Sequence, residues 1–84
     1  MKKYLCTYLS GGGTVYDGGI WELKETPKTF TFTLLEKPFY SLNWDKLVYH
    51  KEKPGRHALH QYEEDEFVIY PDRCGTPYSF VSLD

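Results

Sequence analysis

The sequence predicts an all-β protein, a small antiparallel sheet of about five to seven short strands curled on itself or closed into a barrel. Three observations carry that expectation. The run Lys28-Thr29-Phe30-Thr31-Phe32-Thr33-Leu34 alternates strictly, so that Phe30, Phe32 and Leu34 share one face and three threonines share the other. That is the period of a half-buried strand. The composition favours strands throughout, with aromatic residues at 18% of the chain, eight of them tyrosines, beside many valines and threonines. Turn signals recur at short intervals: Asp17-Gly18-Gly19, Lys53-Pro54-Gly55-Arg56 and Pro71-Asp72-Arg73-Cys74-Gly75.

The elements follow in order. Tyr4 to Leu9 forms a first strand, with Tyr4, Cys6 and Tyr8 on one face, Leu5, Thr7 and Leu9 on the other, and both faces partly covered. Gly11-Gly12-Gly13 ends it, and Asp17-Gly18-Gly19 supplies the positive φ of a tight hairpin or bulge. A second strand runs from about Ile20 to Glu25 until Thr26-Pro27 interrupts the pairing. The Thr/Phe strand comes next, antiparallel to its predecessor, and ends at Pro38. Around residues 41–48 a short helix capped by Ser41 or Asn43 competes with a strand over Lys46–Lys51. Val48, Tyr49 and the turn that follows favour the strand. Lys53-Pro54-Gly55-Arg56 reads as a type II turn joining it to a strand over His57–Tyr62. Glu63-Glu64-Asp65-Glu66 is a charged turn, Phe67–Tyr70 a short strand covered on both sides, and Tyr78–Leu83 the last strand. Curling into a barrel, or stacking as a two-layer sandwich, hides the edges that a flat sheet would expose.

At 84 residues the chain is one domain. A domain of that size hides only about 60–65% of the surface its unfolded chain exposes, so its core depends on large side chains. A formal charge of −2 excludes a globally basic nucleic-acid binder. The charges are nonetheless segregated. Lys24, Lys28, Lys37, Lys46, Lys51, Lys53 and Arg56 outnumber the acids between them, whereas Glu63, Glu64, Asp65, Glu66, Asp72 and Asp84 face Arg73 alone. Cys6 and Cys74 lie too far apart for a CxxC metal pair, and two cysteines make no dense disulfide framework. Reduced thiols and a cytoplasmic protein are the expectation, a Cys6–Cys74 disulfide between neighbouring first and last strands the alternative. Met1-Lys2-Lys3-Tyr4-Leu5-Cys6 begins like a signal peptide, but Thr7, Ser10 and the glycines interrupt it before an apolar core develops, and nothing in the chain reads as a membrane span.

The site candidates cluster around the predicted fourth and fifth strands. A four-residue loop over Glu52–Gly55 would place His50 across from His57 and Lys51 across from Arg56. Lys51, Lys53, Arg56 and two histidines would then crowd one hairpin tip, an arrangement that an anion or an acidic protein surface would relieve. Trp44, Tyr40 and Tyr49 lie beside it, as in platforms that stack nucleobases, although a small β core needs the same residues for itself. The partner-binding set is therefore Trp44, Lys46, Tyr49, His50, Lys51, Lys53, Arg56 and His57, with Glu63, Glu64, Asp65 and Glu66 as a secondary acidic candidate. His57 and His60 point to opposite faces of one strand and no further ligand completes a set with His50, so no metal is expected. The glycines lack the Gly-Lys-Ser/Thr of a phosphate loop. No spacing singles out a nucleophile, base and orienter, so neither an enzyme nor a cofactor is expected.

Two segments, Trp21-Glu22-Leu23-Lys24-Glu25-Thr26-Pro27-Lys28-Thr29 and Tyr70-Pro71-Asp72-Arg73-Cys74-Gly75-Thr76-Pro77-Tyr78, resemble stretches of small accessory proteins of phages and mobile elements. The resemblance covers about a fifth of the chain and transfers no functional residue. It implies a protein that binds and inhibits a host enzyme, such as a CRISPR-type defence nuclease or another nucleic-acid-processing enzyme. The first expectation is thus a non-enzymatic binder of a host protein. The alternatives are a small-barrel nucleic-acid binder working through the basic tip and a protein that sequesters a small nucleotide between the glycine loop and that tip. An uncovered edge strand would also make a homodimer unsurprising.

Overall fold

The computed structural model describes residues 2–9, 12–37, 45–53, 58–70 and 77–84. They form seven strands: β1 (Lys2–Leu9), β2 (Val15–Glu25), β3 (Thr29–Glu36), β4 (Lys46–His50), β5 (Ala58–Tyr62), β6 (Glu66–Tyr70) and β7 (Tyr78–Ser82). All belong to one antiparallel sheet in the order β4-β3-β2-β1-β7-β6-β5. The all-β expectation holds, as a single curled sheet rather than two stacked layers. Residues 46–48, part of the alternative helix, lie in β4, and residues 41–44 fall outside the described residues.

The curl can be read from ring contacts. Three strands separate β3 from β6, so in a flat sheet they would lie about 19 Å apart at the usual spacing. The rings of Phe32 on β3 and Phe67 on β6 are nevertheless 5.3 Å apart, edge to face. The sheet has therefore bent until its own inner face meets itself. Tyr4, Cys6, Trp21, Leu23, Phe32, Leu47, Tyr49, Phe67, Ile69 and Phe80 are buried there, with Phe30, Leu34, Leu59 and Tyr78 packed against them. β3 shows the alternation the sequence announced, and β1 resolves its two faces: Tyr4 and Cys6 are buried while Leu5 and Leu9 are exposed.

β2 is longer than the sequence suggested because a bulge carries it through its glycines instead of ending it. Leu5 pairs with Ile20 and Thr7 with Asp17, so Gly18 and Gly19 together stand opposite Cys6. Gly19 takes a φ of 90°, and its N–H donates to Asp17 Oδ1 at 2.7 Å. The Gly18 carbonyl accepts the indole N–H of Trp21 at 2.8 Å, which satisfies a tryptophan with no solvent exposure. Pairing shifts again between β2 and β3, where Ile20 faces Glu36 and Trp21 faces Leu34, leaving Leu35 as the extra residue.

The expected β4–β5 hairpin is corrected. β4 pairs with β3, Thr29 lying opposite His50, and β5 pairs with β6, so the two strands occupy opposite edges of the sheet. Lys53-Pro54-Gly55-Arg56 therefore belongs to a crossover between edges and not to a two-strand turn. Its last three residues, with His57, lie outside the described residues. Cys6 is a free, buried thiol rather than half of a disulfide, and Cys74 also lies outside the described residues.

A methyl group added at Gly18 would meet Cys6 Sγ at 2.5 Å and Cys6 Cβ at 3.0 Å. Gly18→Ala is thus expected to destabilise the fold by about 1–3 kcal/mol, the usual scale of overpacking. Thermal denaturation of the single and double variants checks this, and Cys6→Ala should recover part of the loss because it removes the nearer of the two clashing atoms.

Candidate functional site

Alternation along curled strands sends every second side chain outward, and the registers fix which outward residues are neighbours. One row crosses the sheet as Tyr62, Glu66, Val81, Leu5 and Ile20, each opposite the next on the adjoining strand. Four of these five are apolar, with Leu5, Val81 and Tyr62 at 37%, 47% and 51% exposure, and Leu35 and Leu83 are exposed nearby. The rows beside it are polar or mixed: His60, Val68, Ser79, Thr7 and Asp17 on one side, Lys3, Glu22, Thr33 and Lys46 on the other. An apolar band with polar borders across the solvent face of a sheet is the make-up of a protein contact surface.

Five of the eight predicted partner-binding residues, Lys46, Tyr49, His50, Lys51 and Lys53, fall among the described residues. Tyr49 is a core residue, its ring 6.3 Å from that of Phe32, so it is no exposed anchor. Its hydroxyl is buried without a hydrogen-bond partner, and burial pushes its pKa up. Lys46 and His50 are exposed on β4, and Lys53 is exposed in the bend beyond it. Lys51 is already engaged: its Nζ lies 2.6 Å from Glu25 Oε1 and 4.4 Å from the centre of the Phe30 ring. The paired carboxylate offsets the charge of Lys51 itself. Trp44, Arg56 and His57 lie outside the described residues.

The acidic candidates Glu63, Glu64, Asp65 and Glu66 form the β5–β6 turn and the start of β6. Glu63 adopts a φ of 60°. The turn is tied down through its backbone, since the Tyr4 hydroxyl donates to the Glu64 carbonyl at 3.2 Å and Ser82 N–H to that of Asp65 at 2.8 Å. Burial, followed by the carboxylates of Asp65, Asp84, Glu25 and Glu64, raises the Tyr4 pKa. A cleft of about 520 Å³ opens at this end between Lys2 and Lys24, Gln61 and Glu64, with Tyr4 and Phe67 among its walls. Its charges are of both signs. Among the described residues, Gly12 and Gly13 before β2 and Lys51 lie at opposite ends of that strand.

Among the described residues no three His, Cys, Asp or Glu side chains could share a metal ion, and no helix is long and apolar enough to cross a membrane. The described strands define an antiparallel half-barrel with an apolar outer band, β4 and β5 being the end strands of the sheet. Set against protein-family models, curated proteins and solved structures, the chain matches none. The sequence reading missed the outer band because it treated both faces of β1 as covered. The available signal was that Leu5, Ile20 and Val81 each occupy an outward position in an alternating strand.

Cys6 has no surface from which to act as a nucleophile: burial, with a smaller contribution from Asp17, pushes its thiol up to about 12. The folded value lies above the ordinary 9.0, so the neutral thiol contributes stability below about pH 9 that is lost as pH rises towards 12. Urea midpoints should therefore hold level from neutral pH to about pH 8 and fall above it. In Cys6→Ala the fall should be shallower.

Proposed function

We propose that this protein is a non-enzymatic binding protein that docks another folded protein on the outer face of its sheet. The observation that carries this reading is the run of Val81, Leu5 and Ile20 across three adjacent strands, half-buried or exposed in the middle of a surface that alternation would otherwise make polar. Leucine and valine in such positions gain little from the fold and about 25 cal/mol for each Å² they lose to a partner. The resemblance of two segments to phage and mobile-element accessory proteins suggests the kind of partner, a host enzyme that acts on nucleic acid and is inhibited by occupation of its surface.

A second reading, direct binding of nucleic acid, is favoured by the outward placement of Lys46 and His50 on β4 with Lys24 exposed on β2 and Lys28 exposed in the bend between β2 and β3. The two differ in salt dependence. A phosphate binder loses affinity steeply as salt rises, whereas an apolar protein contact does not.

Leu5→Glu combined with Val81→Lys tests the first reading, because these residues face each other across β1 and β7 and opposite charges there are compatible with pairing. The melting temperature should stay within about 5 °C of the parent. Recovery of a defined protein from nuclease-treated lysate should fall at least about tenfold, a loss of 1.4 kcal/mol or more. Undiminished recovery would overturn the outer band as the docking surface. Recovery of nucleic acid alone, lost at moderate salt, would favour the second reading.

A further inference from the structure

The cleft of about 520 Å³ lies where β1 and β2 curl round to face β5 and β6. Clefts that hold small molecules measure about 300–1,000 Å³ and often open in the mouths of β-barrels. The buried side chains of Tyr4, Leu23 and Phe67 form its floor. Its rim is polar, and two rim residues stand where alternation calls for apolar ones. Lys2 lies opposite Leu23 and shares the inward parity of Tyr4, while Gln61 lies opposite Phe67 and shares that of Leu59. Polar side chains at inward positions weaken a core unless they serve a site.

The rim also separates charge. Lys2 on β1 and Lys24 on β2 bring two ammonium groups to one wall, whereas Gln61 on β5 and Glu64 in the turn after it bring an amide and a carboxylate to the other. Among the described residues only Lys51 and Glu25 form an ion pair, at 2.6 Å. Glu25 is thereby offset, and Lys2, Lys24 and Glu64 line one cleft without pairing across it. The Tyr4 hydroxyl donates to the Glu64 carbonyl at 3.2 Å, which ties the turn to β1 and leaves the hydroxyl oxygen able to accept. Burial, followed by the carboxylates of Asp65, Asp84, Glu25 and Glu64, raises the pKa of this hydroxyl. The potential around it is therefore negative and suits a cation.

We propose that this cleft binds a small zwitterion, a dipeptide with its ammonium and carboxylate termini free. The carboxylate terminus lies between Lys2 and Lys24, and the ammonium terminus lies against Glu64, Gln61 and the Tyr4 hydroxyl. The side chains of the dipeptide rest over the apolar floor and along the methylene stems of the two lysines. A free amino acid carries both charges on one carbon, whereas this rim sets its unlike groups on facing walls that do not touch. A dipeptide separates its charges by one further residue. A ligand with a single sign of charge leaves one wall unmatched. The cleft belongs to the inner face of the sheet, so this inference is independent of docking on the outer band.

Titration of the full chain with L-alanyl-L-leucine, read by NMR from the backbone amides, tests it beside the N-acetylated and the C-amidated forms of the same dipeptide. Shifts at Tyr4, Leu23, Gln61 and Phe67 should saturate by about 10 mM. Each blocked form should bind at least about threefold more weakly, the scale of one solvent-exposed charge pair. Lys2→Gln should weaken the free dipeptide by a similar factor and shrink its advantage over the C-amidated form while keeping that over the N-acetylated one. Glu64→Gln should do the reverse. Both side chains are exposed, so the melting temperature of each variant should stay within about 5 °C of the parent. No saturable shift at the cleft, equal binding of the blocked forms, or full discrimination kept in both variants would overturn the proposal. Shifts confined to the outer band around Leu5 and Val81 would also overturn it. The Leu5→Glu/Val81→Lys variant should bind the dipeptide as the parent does, so failure of the outer band and failure of the cleft give different results.

Discussion

The fold depends on one contact between strands that are not neighbours. Phe32 on β3 packs against Phe67 on β6 and Phe80 on β7, at 5.3 and 4.9 Å, and touches Tyr4 on β1 and Tyr49 on β4 at 6.2 and 6.3 Å. A single sheet has no second layer to cover its apolar face, so it must supply the cover itself. Aromatic rings suit this because each spans much of the interior and adds about 0.5–1.5 kcal/mol per well-oriented pair beyond its buried area. Phe67 meets Phe30 and Tyr4 as well as Phe32, so the closure is shared by four rings.

Bending a sheet this far requires local relief, and β2 supplies it twice. Its pairing with β1 is broken by the two glycines opposite Cys6, and its pairing with β3 by Leu35, with Ile20 adjoining both irregularities. Bulges increase twist and bend the strand that carries them. Gly18 does three things at once: it widens the bulge, gives Trp21 a carbonyl to bond, and leaves room for the Cys6 side chain. Hence Asp17-Gly18-Gly19, which reads in the sequence as a tight hairpin or a bulge, is where β2 is bent.

Much of this was legible in advance. Period-two alternation identified β3 and β1, and the Asp-Gly-Gly signal marked a tight hairpin or a bulge, because these features are set by side chains within a few residues of each other. Strand pairing between distant segments was not legible. A proline-glycine turn between two strands ordinarily means a hairpin, and only the β1–β7 pairing, made between chain segments far apart, places β4 and β5 at opposite edges. The basic tip was drawn from that same hairpin, and His50 lies opposite Thr29 on β3. Tyr49 was misplaced as a surface anchor because a tyrosine beside lysines reads alike in core and surface until its inward parity with Leu47 is known.

The outer band runs out to one end of the sheet. Tyr62 ends the apolar row on the outer face, and its strand, β5, is one of the two end strands. An odd number of antiparallel strands cannot close as an all-antiparallel barrel, whatever the quality of its core. The six antiparallel pairings leave β4 and β5 running the same way at the two ends, so the inner face is covered by its own rings and not by closure of the backbone.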